Sequence, residues 1–182
     1  WDGFFVRYLD AFNLPEDIDN DGDSVGDVTE KSGPLGQDVN GNNIRDNQEA
    51  NIVSSLDSVS GSYITTTANN CPNGFSSVFD YTESSLPAQD SKYDYPFGLR
   101  GIVANCVLPG STVTFSMYMD KVYDTSKWVY RKYLPSVGYI DFSDQVTYDV
   151  TTVNGIQVTR ATFQITDGGQ YDVDGVANGT II

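Results

Sequence analysis

The chain has 182 residues, 25 Asp and Glu against 10 Lys and Arg, a formal net charge of −15, and no histidine. That balance argues against nucleic acid, whose phosphates need Lys and Arg, and against anionic membrane surfaces. Without His, Ser-His-Asp and Cys-His nucleophile systems and the usual zinc or copper ligands are excluded. The length suits one core of moderate size plus a small appendage. Low Lys with twelve Tyr and many Thr, Ser, Asn and Gly points to a secreted, β-rich protein. Apolar runs stay well below the ~20 residues needed to span a bilayer, so no membrane insertion is expected within this chain. Cys71 and Cys106 permit one disulfide, expected in an oxidising compartment; two buried thiols are the alternative. Trp1 in place of an initiator Met, and the apolar Ile181-Ile182, lead to the expectation of processing or of further sequence.

Residues 1–16 form an aromatic segment containing Trp1, Phe4, Phe5, Val6, Tyr8, Leu9, Phe12 and Leu14. Phe5, Tyr8, Leu9 and Phe12 fit a helix, whereas Phe4, Val6 and Tyr8 fit a strand, so periodicity leaves both open. Apolar residues at this density need cover. They pack either on their own domain or on a neighbouring subunit, as a terminal strand or plug.

Residues 17–57 carry two copies of one acidic loop. The first places Asp19, Asp21, Asp23, Asp27 and Glu30 at positions 1, 3, 5, 9 and 12, with Val25 at position 7. The second begins 19 residues later and places Asp38, Asn40, Asn42, Asp46 and Glu49 at the same positions, with Ile44 at position 7. This spacing suits a hard cation. Calcium takes six to eight oxygens, and a tightly wound loop turns positions 1, 3 and 5 toward one point. Position 7 then lends its carbonyl, so its side chain is free to be apolar, and position 12 closes the shell. Two calcium sites are expected. Position 6 holds Ser24 and Asn43, where EF-hand loops want Gly; Asn tolerates the left-handed conformation better than Ser does. Lys31-Ser-Gly-Pro34 stops any helix after the first loop. Ala50–Leu56, after the second, is expected to make about two helical turns.

The runs Asp19-Asn-Asp-Gly-Asp-Ser-Val-Gly-Asp27 and Asp38-Val-Asn-Gly-Asn-Asn-Ile-Arg-Asp46 resemble thrombospondin type 3 calcium repeats of bacterial surface proteins. Dockerins also carry two such loops, each followed by a helix, but the first helix is missing here.

Residues 58–182 read as short strands punctuated by Gly, Pro, Asn and Asp. Expected strands are 62–68, 75–82, 99–108, 111–122, 127–133, 139–142, 145–153 and 156–166. Asn154-Gly155 is a type I′ turn dipeptide and predicts a hairpin. In its second strand the apolar phase slips from Ile156 and Val158 to Ala161, Phe163 and Ile165, which a β-bulge near Thr159–Arg160 would produce. The expected fold is mainly β: a β-sandwich or jelly-roll domain preceded by two calcium-binding loops with little regular structure. In the tail, Asp167, Asp172, Asp174 and Asn178 form a third acidic cluster, read either as a third calcium site or as a glycine-rich loop capped by Asp side chains. Asn178-Gly-Thr180 is also a glycosylation sequon. Pro109-Gly-Ser-Thr-Val-Thr-Phe115 and Asp172-Val-Asp-Gly-Val-Ala-Asn-Gly179 resemble "choice-of-anchor" β domains of bacterial exported proteins. That resemblance implies calcium repeats ahead of the domain and an anchoring tail beyond it, and it supplies no catalytic residues.

The expected function is a non-enzymatic, calcium-stabilised extracellular module of a microbial surface protein. Its partners are other copies of itself or neighbouring domains, and a more specific form makes it a subunit of an extracellular filament or sheath. Two alternatives are a carbohydrate-binding module, with Trp128, Tyr130, Tyr133 and Tyr139 as an aromatic platform for glycans, and a dockerin-like interaction module. The acids outside the loops, such as Asp80, Glu83, Asp141 and Asp144, show no arrangement that suggests catalysis.

Overall fold

The computed structural model describes residues 17–106 and 108–182; the aromatic segment 1–16 lies outside the described residues. One short helix, α1 (Asp27–Lys31), precedes ten strands: β1 (Ile52–Leu56), β2 (Tyr63–Asn69), β3 (Phe75–Tyr81), β4 (Leu99–Asn105), β5 (Thr112–Tyr118), β6 (Arg131–Leu134), β7 (Gly138–Asp141), β8 (Thr147–Val153), β9 (Ile156–Thr166) and β10 (Thr180–Ile181). They form a five-stranded sheet in the order β1-β2-β5-β9-β8, a three-stranded sheet β10-β4-β3 and a two-stranded sheet β6-β7. All pairs are antiparallel. Val53, Ala68, Phe115 and Phe163 of the large sheet share one core with Phe75, Ala104 and Ile181 of the three-stranded sheet. The protein is thus mainly β, with two sheets facing each other as in a sandwich.

The Asn154-Gly155 hairpin forms as its sequence dictates. Val153 pairs with Ile156, and the two turn residues take φ of 48° and 84°, the left-handed values a type I′ turn requires. The bulge expected near Thr159–Arg160 is absent: β9 keeps continuous register with both β8 and β5. The phase change has another cause. Ala161, Phe163 and Ile165 face the main core, while Val158 points to the opposite face and packs with Val153, Leu35 and Val39. The apolar residues change sides because the loop segment covers the outer face at that end of the strand.

The helical turns expected over Ala50–Leu56 are also absent, and β1 takes their place. Ile52 pairs with Thr67 and Leu56 with Tyr63. Four consecutive residues of β1 are buried, Ile52 to Ser55, because α1 and the core cover opposite faces of the strand. Covering both faces removes the alternation that marks a half-buried strand.

Two further ties hold the sheets together. Cys71, after β2, is bonded to Cys106, after β4. Arg100 of β4, with 5 % of its side chain exposed, reaches across to the Ser55 hydroxyl and the Ile64 carbonyl and is charge-paired with Asp80 at 3.2 Å. The disulfide closes a loop with a sequence separation of 35. In the chain-entropy account, such a loop contributes about 3–4 kcal/mol. Replacing both cysteines by serine should lower the unfolding free energy by that amount in a denaturant titration; an unchanged midpoint would show that the bond adds nothing.

Candidate metal centre

The two acidic loops are structural copies. In each, the position-9 N–H donates to the carbonyl preceding position 1, Asp27 to Ile18 at 2.7 Å and Asp46 to Gln37 at 2.8 Å. In each, both oxygens of the first Asp accept loop N–H groups: Gly22 and Ser24 donate to Asp19, Asn42 and Asn43 to Asp38. The position-5 side chain accepts the position-7 N–H, Val25 to Asp23 at 2.8 Å and Ile44 to Asn42 at 2.7 Å. The position-9 carboxylate accepts the position-2 N–H, Asn20 to Asp27 and Val39 to Asp46. Backbone dihedrals match as well: Gly22 and Gly41 lie at φ 81° and 73°, Ser24 and Asn43 at 80° and 68°. Position 6 is therefore left-handed despite lacking Gly, at a cost of about 1–2 kcal/mol for Ser24. These turns wind the odd-numbered side chains inward.

Loop one gathers charge that its own hydrogen bonds leave unanswered. One oxygen from each of Asp19, Asp21 and Asp23 lies within 4.8 Å of the others. Asp23 and Glu30 are buried, and Asp21 is half-buried. Both oxygens of Asp21, one of Asp23 and one of Glu30 are buried without a hydrogen-bond partner. Burial pushes the Glu30 carboxyl up to about 9, with the Asp23 and Asp21 charges adding to it. Burial likewise raises Asp23 to about 7 and Asp21 to about 6, reinforced by their carboxylate neighbours. A buried acceptor left unpaired costs about 1–3 kcal/mol, and more when charged. Three of these four oxygens belong to Asp21 and Asp23, which converge with Asp19, an arrangement that fits a positive ion. The triad Asp19, Asp21 and Asp23 can hold a metal ion.

Asp27 plays a bracing part instead. One of its oxygens accepts from Asn20, from Lys31 at 2.9 Å and from Asn47 of the second loop at 3.0 Å. The Lys31 contact, first among these, holds the Asp27 carboxyl below the usual carboxylate range. Asp17, two residues before loop one, caps α1 by accepting the Val28 and Thr29 N–H groups. Gly26 leaves room for that carboxylate, since a Cβ there would sit 2.1 Å from the Asp17 carboxyl carbon.

Loop two is milder. Asn40 and Asn42 turn their amide groups to Glu49 at 3.2 and 2.8 Å, so positions 3, 5 and 12 converge. Two neutral amides replace two carboxylates, and no oxygen of Asp38, Asn40, Asn42 or Glu49 is buried without a partner among the described residues. Burial raises Asp46 to about 6. Val25 is buried and Ile44 is 47 % exposed; neither position-7 carbonyl accepts a hydrogen bond among the described residues.

Loop one also stands where the two sheets meet. β1 and β3 are edge strands of their sheets. The Glu30 carboxylate accepts the Ser54 N–H of β1 at 3.2 Å, and the Ser24 hydroxyl accepts the Val78 N–H of β3 at 2.8 Å. The same loop that gathers the acids thus clasps both edges. No family model, curated protein or solved structure matches this chain.

The other sequence candidates fall elsewhere. Asp167 accepts N–H groups from Gly110, Asn178 and Gly179, and Asp172 from Gly168 and Ile182. Asp174 accepts from Val176 and from the Asn178 amide at 2.9 Å. Each of these carboxylate oxygens has a donor, the arrangement of a loop stapled by its Asp side chains. For Asp167, burial alone would raise the carboxyl, but three backbone donors hold it below the usual range. Asn178, the sequon residue, is exposed. The four aromatics do not form one row. Trp128 stacks edge-on against Phe97 and Tyr148, and Tyr130 packs on Phe142 and Phe163, whereas Tyr133 and Tyr139 pair across β6 and β7. Asp17, Asn20 and Asn47 are not among the sequence candidates, and Ser24 is singled out there for its backbone and not for its contact with Val78; of these only Asp17, close to the first loop, carries a local signal.

Raised carboxyls make the metal-free protein pH-sensitive. Its folded form keeps protons on Asp21, Asp23 and Glu30 that the unfolded chain releases near pH 4. Stability without metal should therefore fall as pH rises from about 4 to about 9, and level off above that. A bound cation replaces those protons and removes the slope. Thermal melts in chelator across this range test it; a flat profile contradicts the buried charge cluster. Glu30→Gln, which keeps the acceptor for Ser54 and removes the charge, should raise the melting temperature in chelator at pH 8 and shrink the gain on adding metal. A lower melting temperature in chelator would contradict it.

Proposed function

We propose that the chain is a non-enzymatic, calcium-stabilised structural module of an extracellular assembly. The observation that carries this reading is the set of four unpartnered carboxylate oxygens in loop one, at the point where that loop ties together the free edges of both sheets. Oxygen-only ligands at positions 1, 3, 5 and 12, with a carbonyl free at position 7, match the hard, multidentate demand of Ca²⁺. Mg²⁺ holds its water more tightly and wants a smaller octahedron. The two loops are thrombospondin type 3-like repeats, and the sandwich is of the choice-of-anchor type. Loop one, with five acids, is the stronger site; loop two, with three, is the weaker.

Calcium here acts on shape. It neutralises the repulsion within loop one, holds Glu30 against β1 and Ser24 against β3, and so fixes the repeats as an outer layer on the sandwich. Millimolar calcium outside a cell suffices for sites of modest affinity, and a cation at 100 times its dissociation constant stabilises the fold by about 2.7 kcal/mol. The disulfide is compatible with the same compartment, and no helix of the described residues is long and apolar enough to cross a membrane.

Isothermal titration of chelator-treated protein tests the reading. Two calcium-binding steps of unequal strength are expected, with proton release, and Asp21→Asn with Asp23→Asn should remove the stronger one. No heat and no rise in melting temperature in millimolar calcium would overturn the reading.

A further inference from the structure

The three-stranded sheet is one strand short. β10 pairs only with Asn105 and Ala104, so Leu99–Val103 of β4 have β3 on one side and no strand on the other among the described residues. β6 is likewise paired only with β7. Both bare edges line one cleft of about 800 Å³, whose floor is the inner face of the large sheet at Met117 and Phe163 and whose walls include Ile102 and Tyr130. Protein interiors leave few voids larger than a water molecule, and an unpaired strand edge is a template for another strand. The rim is also charged in an unexpected sense. Five of the chain's ten Lys and Arg line this cleft, with Asp94 the only acid, in a protein of net charge −15. Lys92, Lys127 and Lys132 have no ion-pair partner among the described residues.

We infer that this cleft is an acceptor for residues 1–16 of a second copy of the chain, added as a strand beside β4. The inference rests on the reading of the chain as an assembling structural module, and it names the site and its occupant. The segment has the chemistry the slot lacks. Phe4, Val6 and Tyr8 alternate as one face of a strand and supply apolar bulk, while Asp2, Asp10 and Glu16 answer the lysines. Strand addition satisfies the bare β4 edge through main-chain hydrogen bonds, and alternate side chains fill the pocket. A second copy is the better donor on geometry. Asp17 is held at α1, which packs on β1, and loop one grips the β3 edge; the slot lies on the other side of β4 from β3. The slot is thus at the opposite edge of the three-stranded sheet from the one that loop one grips, open to a segment from a neighbour. Donor and acceptor are different surfaces, so the contact is heterologous and propagates head to tail.

The test uses the full chain in calcium. Sedimentation should show concentration-dependent, open-ended association of the wild type, and the variant F4D/V6D/Y8D should be monomeric, with a cooperative melt whose midpoint no longer depends on protein concentration. A synthetic peptide of residues 1–14 titrated into that variant should shift the amide resonances of Leu99–Val103 and Arg131–Leu134, and the peptide carrying the same three substitutions should bind at least tenfold more weakly. Three results overturn the inference: no shift at those amides, a shift confined to other strands, or a wild type that stays monomeric while the variant binds the peptide, which would place each segment in its own cleft. Calcium titration of the same samples reads the metal sites separately, so loss of one reading is distinguishable from loss of the other.

Discussion

Like charges brought together out of water organise this molecule. Asp19, Asp21 and Asp23 crowd one turn, the Glu30 charge adds to theirs, and four oxygens of Asp21, Asp23 and Glu30 are buried with no hydrogen bond to answer them. Loss of water disfavours their ionised forms most, and the neighbouring carboxylates add repulsion. Protons relieve it at low pH, and in the proposed reading a divalent cation relieves it at neutral pH.

From this follows a division of labour between the two loops. Loop one carries five acids, buries Asp23, Asp27 and Glu30 and is bonded to both sheets, so an ion bound there would be coupled to the sandwich. Loop two is neutral at two ligand positions and largely exposed, and its backbone is held by its own hydrogen bonds. Asn154 of the hairpin turn donates to the Leu35 and Asp38 carbonyls at 2.7 and 3.2 Å, anchoring that loop to the far end of the same sheet. The Asp27–Asn47 bond joins the loops to each other. The repeats thus run along the outer face of the sheet from the β1 edge to the β8–β9 turn.

Much of this was legible locally. Paired acidic loops at fixed short spacing and an Asn-Gly turn declare themselves within a dozen residues, because one backbone turn decides their geometry. What escaped the sequence was long-range. Glu30 meets Ser54 across 24 residues and Ser24 meets Val78 across 54, and neither serine advertises a partner. Ile52–Ser55 read as helical because burial on both faces removes a strand's alternation. Val158 read as part of a bulge because Leu35 and Val39, more than a hundred residues earlier, form a second small core against it. In both cases the loop layer supplied the missing surface, and its docking on the sheet is a tertiary event that periodicity does not encode.

The most direct measurement is amide hydrogen exchange at Ser54 and Val78, the two edge N–H groups held by Glu30 and Ser24. The account predicts slow exchange at both in calcium and marked acceleration in chelator, with the central pair β5 and β9 little changed. Equal protection of Ser54 and Val78 in the two conditions would contradict the claim that a cation in loop one holds the sheets' edges together.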